Sequence, residues 1–117
     1  MTYRGGHQQL FAWQQAMSLV ELVYRDTSRF PRQEAFGLSA QLRRAAISIP
    51  CNIAEGAGRR SRGELVQYLG IACGSLAEVE TQLEIARRLG YLHGDSDSVR
   101  QLPRVGKLLV ALRKSIK

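Results

Sequence analysis

The segment SIPCNIAEGAGRRSRGE, residues 48–64, places a proline inside a helical pattern and closes on glycines and arginines. Pro50 has no backbone N–H to donate and crowds the carbonyl of Ala46, so a helix that continues through it is expected to bend. Asn52 can donate and accept hydrogen bonds at such a bend, and Glu55 can accept from backbone N–H groups or pair with an arginine. The segment therefore predicts a kinked helix rather than a catalytic loop.

The residues after this helix predict a turn and then a new helix. Gly56 and Gly58 are expected to let the chain leave the helix with positive φ. Ser61 followed by Glu64 has the spacing of a capping box at the start of the next helix. A nucleotide site is the weaker interpretation, because GAGRRSRGE lacks the G-x-x-x-x-G-K-[ST] pattern and follows no predicted strand.

Four segments carry apolar residues at helical steps of three and four. The first stripe consists of Leu10, Trp13, Met17, Val20, Tyr24 and Thr27. The second, within about residues 34–55, consists of Leu38, Leu42, Ala45, Ile49 and Ile53. The third consists of Leu65, Leu69, Ala72, Leu76, Val79, Leu83 and Ala86, and the fourth of Leu102, Val105, Leu109, Leu112 and Ile116. No segment alternates with period two, and the connections are short. The sequence therefore predicts one domain over residues 1–117, an all-α, antiparallel up-down four-helix bundle with its second helix kinked at Pro50.

Glycines and short polar residues mark features of the third and fourth helices. Gly90 is expected to cap the third helix in the left-handed conformation, and the DSDS run at residues 95–98 offers N-cap oxygens to the fourth. Gly70 and Gly74 lie about one turn apart on the third helix, and this spacing favours close packing inside the bundle.

The chain has a strong and uneven positive charge. Its 17 Lys and Arg residues against 10 Asp and Glu residues give a formal net charge of +7. Residues 59–117 hold eleven of these basic residues and six of the acidic ones, and from Ser98 onward there are six basic residues and no acidic one. Such a field attracts polyanions, with solubility alone as the alternative reason for a basic chain.

Two groups of basic residues are the candidates for contacting a nucleic-acid backbone. One group follows steps of four, three and seven on one face of the last helix and consists of Arg100, Arg104, Lys107 and Lys114. The other lies in the predicted turn at one end of the bundle and consists of Arg59, Arg60 and Arg62. An oligomer would repeat these groups, and many weak phosphate contacts would then add.

Residues typical of catalysis or metal binding are scarce. His7 and His93 are the two histidines, both fall in predicted end regions, and neither belongs to a motif with a serine or cysteine nucleophile. The glutamates of the third helix lack the Glu-x-x-His pairs that di-metal bundles use, so a solvated face is the better interpretation. The sequence predicts no catalytic residue, no cofactor and no metal site, and we expect the protein not to be an enzyme.

The chain is expected to be cytoplasmic. Its N-terminus, MTYRGGHQQLFAWQQ, lacks the apolar run of a signal peptide, and no stretch approaches the roughly 20 apolar residues of a membrane span. Cys51 and Cys73 fall in helical patterns away from metal-ligand spacing, and are interpreted as reduced, buried residues rather than a disulfide.

The first helix carries more apolar surface than a monomeric bundle needs. On one flank of the apolar stripe, Ala12, Ala16, Leu19 and Val23 widen it. Phe11 and Leu22 project to the side of the helix nearly opposite the stripe. Extra apolar surface favours contacts between subunits, so we expect a homo-oligomer, with scattered exposed apolar residues as the alternative.

Three stretches of the chain resemble a known family. They are QAMSLVELVY, FPRQEAFGLSAQLRRAAISIPCNIAEGAGR and YLGIACGSLAEVETQL followed by RRLGYL. They closely resemble the small bacterial four-helix bundle proteins known as 23S rRNA intervening-sequence proteins, over about residues 11–116. Asn52, Glu55 and Gly56 match the NIAEG signature of that family, which marks membership and not an active site.

The resemblance implies an architecture and a class of partner. Family members are antiparallel four-helix bundles, and some assemble as homopentamers. Related accessory variability proteins of diversity-generating retroelements are basic, bind nucleic acid and associate with a reverse transcriptase. The resemblance carries over no catalytic residue.

Two functions are therefore expected as alternatives. The first is a non-enzymatic, oligomeric accessory protein that binds RNA or DNA electrostatically through its basic residues. The second is a protein-interaction module whose basic face docks an acidic partner such as a reverse transcriptase. Charge alone does not separate the two, because both ligands are anionic.

Overall fold

The chain folds into four α-helices in the computed structural model, which describes residues 6–116. The helices are α1 (Phe11–Thr27), α2 (Leu38–Ala57), α3 (Arg62–Arg88) and α4 (Asp97–Lys114). Two short 3-10 helices, His7–Gln9 and Arg32–Glu34, precede α1 and α2. No strand occurs in this part of the chain. The prediction of an all-α four-helix bundle is confirmed.

The four helices form a ring in which each contacts two neighbours. Helix α1 packs against α2 and α4, and α3 packs against the same two helices. The molecule measures 44 × 24 × 20 Å, as expected for rods laid side by side. Contacts between α2 and α3 pair residues in reverse order, with Gly56 beside Tyr68 and Ser48 bonded to Ser75. That order is the pattern that antiparallel neighbours give.

The core is built from the stripes predicted on α2, α3 and α4. Most members of these stripes are buried, and Leu38, Leu76, Leu112 and Ile116 pack against the core while partly exposed. The fully buried members with the largest side chains are Leu42, Ile49, Ile53, Leu65, Leu69, Leu83 and Leu109. Burial of each such side chain contributes about 1.5–3 kcal/mol, which makes this interior the main source of stability.

Helix α1 is rotated relative to the prediction. Its buried apolar residues are the predicted flank, namely Ala12, Ala16, Leu19 and Val23. In the predicted stripe, Met17 and Tyr24 are 39% and 41% exposed. The stripe assignment was therefore only partly right for this helix: Thr27 is buried, and Leu10, Trp13 and Val20 pack against the core while partly exposed. Two overlapping apolar faces compete, and the one with the small alanines is buried most completely.

The start of α2 lies later than the sequence indicated. The helix begins at Leu38 rather than near Glu34. The Glu34 carboxylate accepts a hydrogen bond from the Leu38 N–H at 3.2 Å and another from the Tyr91 hydroxyl at 2.9 Å. The Tyr91 pKa is raised, first because the hydroxyl donates to this carboxylate. Glu34 thus satisfies the first turn of α2 and ties it to the chain that follows α3.

Pro50 lies within α2, which continues as a helix on both sides of it. The Asn52 amide donates to the carbonyl and to the hydroxyl oxygen of Ser48, at 2.8 and 2.9 Å. The Ser48 and Ser75 hydroxyls are hydrogen bonded at 2.8 Å and join α2 to α3. The predicted structural use of Asn52 therefore matches its contacts. The bend at Pro50 stays a prediction.

Helix α3 has the predicted cap residue at its start and the predicted left-handed glycine after its end. The Ser61 hydroxyl accepts from the Glu64 N–H at 3.0 Å, and Gly90 has φ of 81°. The expectation for the α2 exit was wrong. Gly56 is helical, and Gly58 has φ of −84°. Neither glycine is needed for left-handed backbone.

The first turn of α4 is capped from another helix. The carboxylate of Asp26, near the end of α1, accepts from the Ser98 N–H at 3.3 Å and from the Ser98 hydroxyl. Both residues are buried, and the N-cap residue Ser96 makes no side-chain capping bond. A negative charge at this position also suits the helix dipole. The DSDS run therefore marks the start of α4, but its cap comes from α1.

Two smaller predictions have mixed outcomes. The cysteines are free, as expected, but Cys51 is exposed and Cys73 is only partly covered. An added Cβ at Gly74 would meet nothing within 4 Å, so this glycine is not at a tight contact inside the bundle.

Among residues 6–116, no helix has both the length and the apolar character that crossing a bilayer requires.

Candidate nucleic-acid interface

The outer face of α4 is a row of exposed cations. Leu102, Val105 and Leu109 turn into the core. The spacing of the cations puts them on the opposite side of the helix, where all are exposed: Arg100, Arg104, Lys107 and Lys114. From the first to the last, this row spans roughly 21 Å along the helix axis. We call these four residues the α4 basic face.

Within residues 6–116, no carboxylate forms an ion pair with the α4 basic face. The ion pairs among residues 6–116 involve Arg59, Arg87 and Arg88. Helix α4 has one acidic residue, Asp97 in its first turn, and contains no Asp or Glu after it. Exposed cations without partners are the groups that exchange bound counter-ions for phosphates.

Arg59 is committed to contacts within the molecule. Its guanidinium donates to the Glu55 carboxylate at 2.6 Å and to the Tyr68 hydroxyl at 2.9 Å, and lies 3.7 Å from Glu64. The guanidinium carbon is 5.0 Å from the centre of the Tyr68 ring. The Arg59 pKa is raised above its usual value, mainly by Tyr68, with Glu55 and Glu64 adding to the effect. Arg59 therefore fastens the corner between α2 and α3, and its charge is offset.

Arg60 and Arg62 are exposed at the same corner and make no ion pair within the described residues. Arg113 near the end of α4 lies beside Gly70 of α3, so α4 ends toward the part of the bundle where α3 begins. Arg100 lies two residues after Ser98, whose N–H donates to Asp26 near the C-terminal end of α1. The predicted residues are thus divided between one end of the bundle and a row along α4.

Of the glutamates in the middle and end of α3, Glu84 pairs with arginines of its own helix. Glu84 accepts from Arg87 at 2.8 and 2.7 Å and from Arg88 at 2.9 Å. These hydrogen bonds, led by that of Arg87, lower the Glu84 pKa to about 2. Both arginines are therefore paired at the end of the helix, where positive charge also suits the dipole. No group of three potential metal ligands occurs among residues 6–116.

A groove between α1 and α4 adds residues that the charge pattern did not single out. Its volume is about 500 Å³, and it is lined by Phe11, Gln14, Gln15, Arg104, Lys107 and Leu108. Phe11 is 72% exposed at the first turn of α1. The position of Phe11 away from the other apolar residues of α1 was visible in the sequence. Its nearness to α4 depends on how two distant helices pack.

Comparisons with known proteins agree with this architecture. The family model for 23S rRNA-intervening sequence proteins matches residues 8–111. A solved structure of a protein of unknown function from the S23 ribosomal protein family of Bacteroides thetaiotaomicron VPI-5482 is similar, with a TM-score of 0.78 and 25% sequence identity. That match covers 88% of this chain and 95% of the other. A search of curated proteins gave no match.

Proposed function

Because the chain belongs to the 23S rRNA intervening-sequence protein family, we propose that it is a non-enzymatic accessory protein that binds RNA or DNA. The observation that carries this proposal is the α4 basic face, whose four exposed cations have no carboxylate of the described part of the chain within ion-pairing distance. Binding is electrostatic and reads the backbone rather than the base sequence. Arg60 and Arg62 extend the contact at one end of the bundle.

The salt dependence of binding tests this function. A labelled structured RNA is titrated with the full chain by fluorescence anisotropy between about 50 and 200 mM salt. Replacing Arg100, Arg104 and Lys107 together with glutamine removes three phosphate contacts. The slope of log K against log salt is expected to flatten by roughly 2–3, since each contact contributes about 0.7–0.9.

A matched variant separates the position of the charges from their number. Replacing Arg25, Arg29 and Arg44 with glutamine lowers the net charge by the same amount, and these residues are also exposed. Arg25 lies on α1, Arg29 in the connection between α1 and α2, and Arg44 on α2. We expect this control to keep most of the wild-type slope. Equal slopes for the two variants, or no binding by the wild type at about 50 mM salt, would overturn the proposal.

We also propose that the protein is a homo-oligomer, of which the homopentamers of the family are one form. Exposed apolar side chains on the bundle support this. Seven of them are between 38% and 55% exposed: Met17, Tyr24, Ile47, Ile71, Ile85, Leu89 and Val110. An assembly would cover part of this surface and repeat the α4 basic face around a symmetry axis.

Docking of an acidic protein partner, such as a reverse transcriptase, is the second candidate function. The observation that favours it is the apolar lining of the groove beside Arg104 and Lys107, since protein interfaces combine apolar cores with charged rims. A pull-down after nuclease digestion separates the candidates. A partner that stays bound favours protein docking, and a partner that is lost favours recruitment through nucleic acid.

A further inference from the structure

The groove between α1 and α4 combines an aromatic ring, cations and amides. Beyond the residues that line its main part, it continues toward the end of the bundle as a second, smaller apolar depression of about 300 Å³. The additional residues there are Gln9, Leu10, Ala12, Ala111 and Leu112. The two parts share Phe11 and Leu108 and so form one continuous surface.

Phe11 presents its ring to solvent at the centre of this surface. The side chain is 72% exposed, while the next residue, Ala12, is 4% exposed and belongs to the core. The first turn of α1 therefore fixes the position of Phe11 without using its ring for packing. A flat apolar face at a fixed position is what a nucleobase needs for stacking.

The groove carries positive charge on its α4 wall and no charge on its α1 wall. Arg104 and Lys107 are exposed on the α4 side and form no ion pair within the described residues. Residues 8–20 of the α1 side contain no charged residue, and the part of α4 after Asp97 contains no acidic one. An anionic ligand therefore meets two cations and no repelling carboxylate in either wall.

The amides of the groove are held in position by hydrogen bonds. The Gln14 amide donates to the Gln8 carbonyl at 2.8 Å, and the Gln101 amide donates to the carbonyl and side-chain oxygens of Gln15 at 3.1 and 2.9 Å. Within the described residues, these bonds leave the side-chain oxygen of Gln14 and the amide nitrogen of Gln15 for a ligand. Fixed amide groups of this kind can hydrogen bond to the edges of an unpaired base.

We propose that an unpaired nucleotide of the bound RNA or DNA stacks on Phe11, while Arg104 and Lys107 contact the neighbouring phosphates. The inference rests on the proposed function and deepens it by naming single-stranded or looped nucleic acid as the ligand. A base inside a duplex has both faces covered by its neighbours, so a duplex can use the cations of the groove but not the ring.

Substitutions at Phe11 test the stacking directly. The probes are a fluorescein-labelled single-stranded RNA of about 12 nucleotides and the same RNA annealed to its complement. Phe11→Ala is expected to weaken binding of the single strand roughly 5- to 100-fold and to leave duplex binding unchanged. Phe11→Trp keeps a stacking face and is expected to retain wild-type affinity.

Two further variants serve as controls. Phe11→Leu keeps an apolar side chain without a flat ring and is expected to lose affinity like Phe11→Ala. Phe36→Ala removes another exposed phenylalanine, which is 98% exposed just before α2, and is expected to change nothing. Thermal unfolding by circular dichroism and light scattering establish that each variant keeps the fold and the mass of the wild type.

The outcomes separate this inference from the proposed function. If the wild type binds both probes and the Phe11 variants bind equally well, stacking is wrong while electrostatic binding stands. Full affinity for the single strand in Phe11→Leu means that an apolar side chain without a flat ring is enough, and it overturns the inference. A lower assembly mass for Phe11→Ala places the ring between subunits and overturns it as well. If the wild type binds neither probe at about 50 mM salt, the proposed function fails first.

Discussion

Gly56 shows how a single hydrogen atom in place of a side chain sets the distance between α2 and α3. A Cβ added at this position would lie 2.9 Å from the Cβ of Tyr68 and 3.2 Å from Cδ1 of Leu65. The backbone is helical, so the constraint is space rather than conformation. The same corner carries the Arg59 contacts to Glu55 and Tyr68, which depend on this close approach.

Gly56→Ala is expected to destabilise the protein by about 1–3 kcal/mol, because an overpacked contact outweighs the helix propensity of up to about 1 kcal/mol that alanine adds. Gly74→Ala is the matched control, since its new methyl group would meet nothing within 4 Å. This exposed mid-helix change is expected to stabilise by about 0.5–1 kcal/mol. Urea unfolding of both variants measures the difference, and equal stabilities would contradict the packing argument.

At the residue scale, the sequence predicted which hydrogen bonds and ion pairs a side chain forms with nearby residues better than which residues of two helices touch. Asn52 and Glu55 make the kinds of contact that their side chains favour, a local hydrogen bond and an arginine pair. The capping bond of Ser61 was also predictable, because its partner is three residues away. The role of Gly56 was not, since it depends on Tyr68 of another helix.

Helix α1 is the element in which pattern and packing disagree. Its sequence offers two apolar faces about one residue apart, and the structure buries the one that includes Leu19 and leaves Met17 partly exposed. Periodicity predicted that a helix forms here but not how far it is rotated. The faces of α2, α3 and α4 were predictable because each has one apolar stripe.

Paired truncations on α1 test its rotation. Leu19→Ala removes a fully buried side chain and is expected to destabilise by about 2–5 kcal/mol. Met17→Ala removes a side chain that is 39% exposed and is expected to cost less than about 1 kcal/mol. Chemical unfolding followed by circular dichroism compares them. A larger loss of stability for Met17→Ala than for Leu19→Ala would support the predicted stripe as the buried face instead.

At the scale of the whole molecule, packing of the helices creates surfaces that no single helix has. The groove beside Phe11 exists because α1 and α4 lie side by side, although Phe11 and Lys107 are far apart in sequence. The charge excess of the C-terminal part was predictable, and so was its placement along one helix face. The aromatic ring at its edge required the fold.

Assembly is also tested at this scale. Ile71 and Ile85 are 45% and 43% exposed on α3, and charged substitutions there would disfavour burial between subunits. We expect the wild type to have the mass of an oligomer, a whole-number multiple of the 13.1 kDa chain that is larger than one chain. The double variant Ile71→Glu, Ile85→Glu is expected to have a lower mass. Gln41→Glu with Gln67→Glu adds the same two charges at exposed polar positions on α2 and α3 and is the control for added charge. Light scattering coupled to size exclusion measures the masses, and a monomeric wild type would contradict the expected oligomer.

The bond between Asp26 and Ser98 joins residues that are 72 positions apart. A ribosome that adds about 5–20 residues per second makes Ser98 roughly 4–14 s after Asp26. During that interval the nascent chain lacks both the donor for this carboxylate and the fourth wall of the bundle. Translation that pauses between these residues therefore exposes an unfinished apolar interior, and the rate of synthesis across α3 sets how long it needs protection from aggregation.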